Sequence, residues 1–281
     1  MATIIDGKSV SKKIKEQIKT EVEILKNKNV EVGLAVVLVG DDSASKVYVS
    51  RKNKTCKSLG INSYEYVLPA ETTEQKLLEL IDELNVNDKI DGILVQLPLP
   101  KHIDERKVLS RILPKKDVDA FHPENVGKIV RGDGEILPCT PAGIIRLLKE
   151  YNIQIEGKNC VVIGRSNIVG KPVALLLLKE NGTVTICHSK TKNIKEITKK
   201  ADILIVATGK PKMVTEDYVK DDAIVIDVGV NRLDNGTLCG DVDFDEVSKK
   251  ASFITPVPGG VGPMTIAMLM NNVVLLKKKY N

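Results

Sequence analysis

The stretch that most restricts the fold is Asn159–Glu180, NCVVIGRSNIVGKPVALLLLKE. Its apolar run Cys160–Ile163 has the length of a buried strand. A polar turn follows, Gly164-Arg165-Ser166-Asn167. From Gly170 the pattern is helical, with Pro172 in the first turn, where a missing N–H costs nothing. Strand, turn and helix in that order aim backbone N–H groups and the positive end of a helix dipole at an anion. The spacing matches neither standard phosphate motif. Gly164 and Gly170 are too far apart for G-x-G-x-x-G, and Pro172 stands where a P-loop needs Ser or Thr after its lysine. On spacing alone an ordinary βα turn remains open.

The following segments narrow the choice. Thr183–Cys187 reads as a strand ending in His188-Ser189-Lys190, Ala201–Ala207 as one ending in Thr208-Gly209-Lys210, and Ala223–Val228 as one ending in Gly229-Val230-Asn231. Strands alternating with helices, with small or polar residues at their carboxyl ends, describe an α/β doubly wound parallel sheet with a nucleotide crevice at those ends. The second strand of such a unit carries an acid when the ligand has a ribose 2′-hydroxyl. Here it ends in Ser189 and Lys190, with Arg165 in the first turn, so a 2′-phosphate and hence NADP is expected. Lys190, Lys192 and Lys195 also fit a solvated face.

The amino-terminal half reads as a second α/β unit without a glycine-rich turn. Strands are expected at Ile4, Val32–Gly40, Asn62–Leu68 and Ile90–Leu97. Helices are expected up to Asn29, from Ala44 to Leu59 after an Asp42-Ser43 cap, and from a Thr72 or Thr73 cap to Leu84. Lys115–Thr140 reads as irregular, Pro141–Tyr151 as a helix, and Thr265–Lys279 as the last helix.

Bulk properties exclude several functions. The 281 residues allow two domains. A net charge of +5 with scattered lysines and 3% aromatic residues suits small anions and offers no stacking platform for nucleic acid. No apolar run approaches a membrane span, and MATIIDGKSVSKKI reads as neither a signal peptide nor an Arg-rich transit sequence. The five cysteines form no CxxC pair and the three histidines are dispersed. A reducing, cytoplasmic setting without a metal site is therefore expected.

Four constellations carry chemistry. Tyr48 and Lys52 share a helix face at i and i+4. They suit a desolvated base beside a ring that packs on a flat substrate, or simply an exposed lysine beside a half-buried tyrosine. Gln96 closes an apolar strand, where its amide must find partners in a loop or a ligand. Asp117 and Asp119 alternate, so in an extended backbone only one faces inward, to cap a loop or to accept paired N–H donors from a heterocycle. Pro256–Pro263, PVPGGVGP, is rigid, free of bulk and placed before a helix N-terminus, and it reads as a functional loop.

Taken together, YVSRK at Tyr48–Lys52, VQLPL at Val95–Leu99, KDVD at Lys116–Asp119, PCTP at Pro138–Pro141, GRSNIVG at Gly164–Gly170, CHS at Cys187–Ser189 and TPVPGGVGPMT at Thr255–Thr265 resemble the methylenetetrahydrofolate dehydrogenase/methenyltetrahydrofolate cyclohydrolase family. The resemblance spans nearly the whole chain. It implies two α/β domains with a cleft between them, the second a Rossmann-like parallel sheet, and a homodimer. Residues 1–140 with 264–281 would form the folate-binding catalytic domain, and 141–263 the NADP-binding domain. It implies Lys52 as the catalytic lysine supported by Gln96, with Tyr48 lining the folate site and Asp119 holding the pterin. Val95, Leu97, Pro256, Gly259, Gly260 and Pro263 would border the substrate. Gly164, Arg165, Ser166, Ser189 and Val230 would contact NADP. One departure is Ala120, where the family usually has glycine. The implied activity is NADP-dependent oxidation of 5,10-methylenetetrahydrofolate followed by hydrolysis to 10-formyltetrahydrofolate. A shikimate-dehydrogenase-like enzyme would share the two-domain plan but lacks use for Tyr48/Lys52 with PVPGGVGP. A nucleotide-sensing module would need neither Lys52 nor Gln96.

Overall fold

The computed structural model describes residues 1–280, with the side chains of Ser43 and Ala44 left aside. Two units form by contact. One comprises Met1–Lys12 and Pro138–Met268, the other Lys13–Leu137 and the chain from Leu269 onward. Met1–Lys12 lies with the later residues, and Thr3–Ile4 pairs in parallel with Phe253–Ile254. A two-residue strand carries no sequence signal of its partner.

The first unit holds a six-stranded sheet. Its order is Thr3–Ile4, Phe253–Ile254, Ile224–Asp227, Ile203–Val206, Asn159–Ile163, Thr183–Cys187, and all neighbours are parallel. The central strands are buried on both faces, as expected where helices cover a parallel sheet. The helix Gly170–Lys179 follows the first strand of the doubly wound pattern and keeps Pro172 in its first turn. The α/β reading and the four strands foreseen here are therefore present.

The second unit holds three parallel strands, Asn62–Leu68, Gly33–Val39 and Gly92–Val95, in that order. Every residue of the middle strand is buried. Each such Val or Leu contributes about 1.5–3 kcal/mol by leaving water. The helix Ser43–Leu59 is capped as expected, Asp42 Oδ2 accepting the N–H of Ser45 at 2.7 Å. Thr73 caps Glu74–Val86 through its hydroxyl, which accepts the N–H of Lys76.

Two expectations need correction. The stretch expected to be irregular contains the helix Pro123–Arg131. His122 Nδ1 accepts the N–H of Glu124, Pro123 opens the helix, and Gly132 closes it with φ 84°. Proline at the first position and glycine just past the end are helix signals, set here in a stretch whose overall Pro and Gly content reads as loop. The last helix starts at Val261 rather than Thr265. Gly262 and Pro263 fall in its first turn, where the proline's missing N–H has no intrahelical partner to lose.

Candidate functional site

In the second unit, the helix Ser43–Leu59 buries Ser45, Val49, Lys52, Cys56 and Leu59. That spacing of four, three, four, three is the apolar stripe of an amphipathic helix. Lys52 therefore stands at a core position, only 9% exposed. The stripe is visible in the sequence and marks this lysine more sharply than its pairing with Tyr48, which is 40% exposed on the flank.

Lys52 Nζ donates to Gln96 Oε1 at 2.8 Å. Gln96 Nε2 donates to the carbonyl of Leu97, and the Gln96 backbone N–H donates to Val37. The amide is thereby turned so that its oxygen faces the lysine. Val95 is buried at the strand end and Leu97 is half-buried beside Gln96.

Of the two alternating aspartates, Asp117 has its partners within its own loop. Asp117 is 3% exposed, and its Oδ2 accepts the N–H of His122 and the Nδ2 of Asn125, so it ties down its own loop. Asp119 is half-buried. Ala120, fully buried, sits at φ 56°. This left-handed conformation costs a non-glycine residue roughly 1 kcal/mol and explains why glycine suits the position.

In the first unit, a pocket of about 460 Å³ opens at the carboxyl ends of three strands. Gly164, Arg165, Ser166 and Ser189 line it together. Gly164 has φ 133°, and a side chain there would meet the carbonyl of Ala207 at 2.3 Å. Ser166 Oγ accepts the N–H groups of Val169 and Gly170 at the start of the helix. Arg165 and Lys210 are the cationic lysine and arginine of the wall, and none of the lining residues is acidic. That lining fits a phosphorylated ribose. His188, Thr191, Ile194, Ala207, Thr208, Lys210 and Met213 complete it. Thr191, Ile194 and Met213 carried no motif that would have named them. Val230 lies exposed on the loop after Ile224–Asp227, outside the lining residues.

The proline–glycine loop belongs to the same unit. A side chain on Gly7 would come within 1.8 Å of the Gly260 carbonyl, and the Lys8 N–H donates to the carbonyl of Gly259. Packing against the start of the first helix is thus one reason for these glycines, and composition alone does not require a ligand. Pro256 and Pro263 are half-buried. The Pro263 carbonyl accepts the Ser11 hydroxyl, while Thr140 and Thr265 hydroxyls meet at 2.9 Å.

Comparison with known proteins agrees along the whole chain. Residues 5–119 match the model of the tetrahydrofolate dehydrogenase/cyclohydrolase catalytic domain, and residues 138–281 that of its NAD(P)-binding domain. The bifunctional protein FolD of Lachnoclostridium phytofermentans is 65% identical over 280 residues, covering 100% of this chain and 99% of the relative. Among solved structures, the bifunctional FolD methylenetetrahydrofolate dehydrogenase/cyclohydrolase of Campylobacter jejuni superposes with a TM-score of 0.98 at 52% identity, over 100% of each chain. The Trypanosoma brucei FolD enzyme, complexed with NADP cofactor and inhibitor, does so at 0.95 and 39%, over 99% of this chain and 98% of that one. Sheet order, nucleotide pocket and sequence matches all point the same way: this chain belongs to the tetrahydrofolate dehydrogenase/cyclohydrolase family.

Proposed function

We infer that the chain oxidises 5,10-methylenetetrahydrofolate with NADP and hydrolyses the resulting 5,10-methenyltetrahydrofolate to 10-formyltetrahydrofolate. Family membership over both matched regions supports the pair of activities. The observation that carries the hydrolytic half is the buried Lys52 held by Gln96 at a strand end.

When bound, NADP supplies the acceptor for the hydride that leaves the methylene bridge. No proton is removed in that step, so orientation of the bridge is most of what the protein provides. The second step differs. Water adds to the cationic methenyl carbon, a C–O bond forms and one proton leaves; the remaining hydroxyl proton then goes to the departing ring nitrogen as its C–N bond opens, which leaves the formyl group on the other nitrogen. Lys52, buried beside the strand end that carries Gln96, is the group placed to accept the first proton. Gln96 fixes the direction of the amine. Tyr48 gives a ring for the flat pterin, Asp119 accepts its paired N–H donors, and Val95 and Leu97 line the same strand end. Gly164, Arg165, Ser166 and Ser189 hold the nucleotide, with Arg165 on the 2′-phosphate and Val230 touching the cofactor from its loop. Pro256, Gly259, Gly260 and Pro263 are assigned to the substrate's border.

The partners are tetrahydrofolate derivatives and a second copy of the chain. The edge strand Thr183–Cys187 leaves one row of backbone groups unpaired within its sheet, with Ile186 exposed on it and Leu178 exposed on the preceding helix. That edge suits a homodimer. No described helix is long and apolar enough to cross a membrane, and the five cysteines are free thiols. We place the enzyme in the cytoplasm on the thiols. Supplying methylenetetrahydrofolate with NADP or NAD tests the reading. Absorbance of the reduced nucleotide and of the methenyl product should rise, with kcat/KM for NADP well above that for NAD. Equal values would overturn the assignment of Arg165 and Ser189 to the 2′-phosphate.

A further inference from the structure

Two aspartates at the ends of the cofactor sheet take no part in the chemistry above, yet they are the most enclosed acids of their unit. Asp227 is 3% exposed and Asp241 is 0% exposed. Asp241 Oδ2 accepts the backbone N–H of Thr208 at 2.6 Å and of Gly209 at 2.9 Å, and its Oδ1 accepts Asn231 Nδ2 at 2.8 Å. Asp227 Oδ1 accepts the N–H of Gly229 at 2.9 Å and of Asp241 at 3.0 Å, and its Oδ2 accepts that of Val242 at 3.0 Å. All these donors are peptide or amide N–H groups. The backbone makes room for both carboxylates. A side chain on Gly229 would stand 2.2 Å from the Asp241 carboxylate, and one on Gly240 would stand 1.7 Å from Asp227 Oδ2.

Of the two loops held by Asp241, Thr208–Lys210 borders the pocket, and Gly229–Asn231 carries Val230, the residue assigned above to the cofactor. Thr208 lines the pocket with Lys210, and Asn231 follows Val230. We propose that Asp241, itself held by Asp227, is a positioning residue for the cofactor: it locks the Thr208–Lys210 and Gly229–Asn231 loops into one preformed wall. The proposal rests on the reading of that pocket as the NADP site. Its physical content is preorganisation. Loops that must be ordered on binding lower apparent affinity by the fraction of time they are correctly placed. Without the carboxylate, three donors lose their acceptor and the loops are released together.

The test uses the full-length Asp241→Ala variant, which leaves the Thr208 and Gly209 N–H groups and the Asn231 amide without their common acceptor. The dissociation constant and KM for NADP should rise by about 10–100-fold, the range given by one or two lost hydrogen bonds to a charged group. Hydrolysis of supplied methenyltetrahydrofolate, which consumes no nucleotide, should stay within about twofold of the parent. Equal loss of both activities with a lowered melting temperature would make Asp241 a merely structural residue and overturn the proposal. If that variant does not fold, Asn231→Ala removes one tie only, and an unchanged NADP dissociation constant there overturns it as well. Arg165→Ala separates the identity of the pocket from the role of Asp241. If it weakens NADP binding and the Asp241 variant does not, the positioning role alone falls. If Arg165→Ala has no effect, the pocket reading falls and takes the proposal with it.

Discussion

Replacing Lys52 with methionine separates the two reactions. Methionine keeps the length and apolar stem of the side chain, so repacking on the buried stripe of Ser43–Leu59 should cost under about 1.5 kcal/mol. Gln96 Oε1 loses the donor now 2.8 Å away, a penalty of about 1–3 kcal/mol where the oxygen stays dry. The fold should survive the sum. The rate effects should be unequal. A lost base removes about 10²–10⁴ in rate, equivalent to about 3–5 kcal/mol of transition-state stabilisation. Hydride transfer needs no base, and only displacement of the bridge should slow it, by about tenfold or less. The assay follows NADPH formation and methenyl hydrolysis in one buffer, with spontaneous hydrolysis subtracted, and methenyl product should accumulate. An equal fold loss in both reactions would make Lys52 a residue that positions folate. No loss in either would reduce it to a buried lysine held by Gln96.

Two further outcomes are expected. Burial, with the charge of Asp241 adding to it, pushes Asp227 up to about 6 from an ordinary 3.8. The folded chain therefore holds this proton more tightly than the unfolded one, and the group's contribution to stability is complete below about pH 4 and lost as pH rises to 6. The loss is up to about 3 kcal/mol at ~1.4 kcal/mol per unit. Urea midpoints of Asp227→Asn against the parent should show a variant deficit that shrinks from pH 4 to pH 7; a widening deficit would contradict the burial argument. If the proposed homodimer forms through the exposed edge strand, Ile186→Arg should lower the sedimentation coefficient from that of a dimer to that of a monomer while leaving the helical circular dichroism intact; an unchanged coefficient would remove this edge as the interface.

The strand–turn–helix at Asn159–Glu180 was legible because each of its signals is local. An apolar run, a polar turn and a helical period all lie within 22 consecutive residues. The caps at Asp42 and Thr73 were legible for the same reason. The helix Pro123–Arg131 had its signals too, in Pro123 and Gly132, and was lost to averaging over a Pro- and Gly-rich stretch. Asp117 and Asp119 alternate identically in the sequence, and only the turn at His122 and Asn125 decides that Asp117 serves the loop.

What the sequence determined by itself was the periodicity of the elements, their order, and through its motifs the family. What only the tertiary structure decided was which distant residues share an environment. Lys52 and Gln96 lie 44 positions apart, and their hydrogen bond exists because the helix after Gly33–Val39 packs beside the end of Gly92–Val95. Thr3–Ile4 finds its partner 250 residues away. Asp227 and Asp241 read as two more acids on a charged chain until the sheet and the antiparallel pair Asn231–Arg232 and Leu238–Cys239 enclose them. Hydrogen-bond geometry and desolvation depend on distance in space, and neither is written in the spacing of residues along the chain.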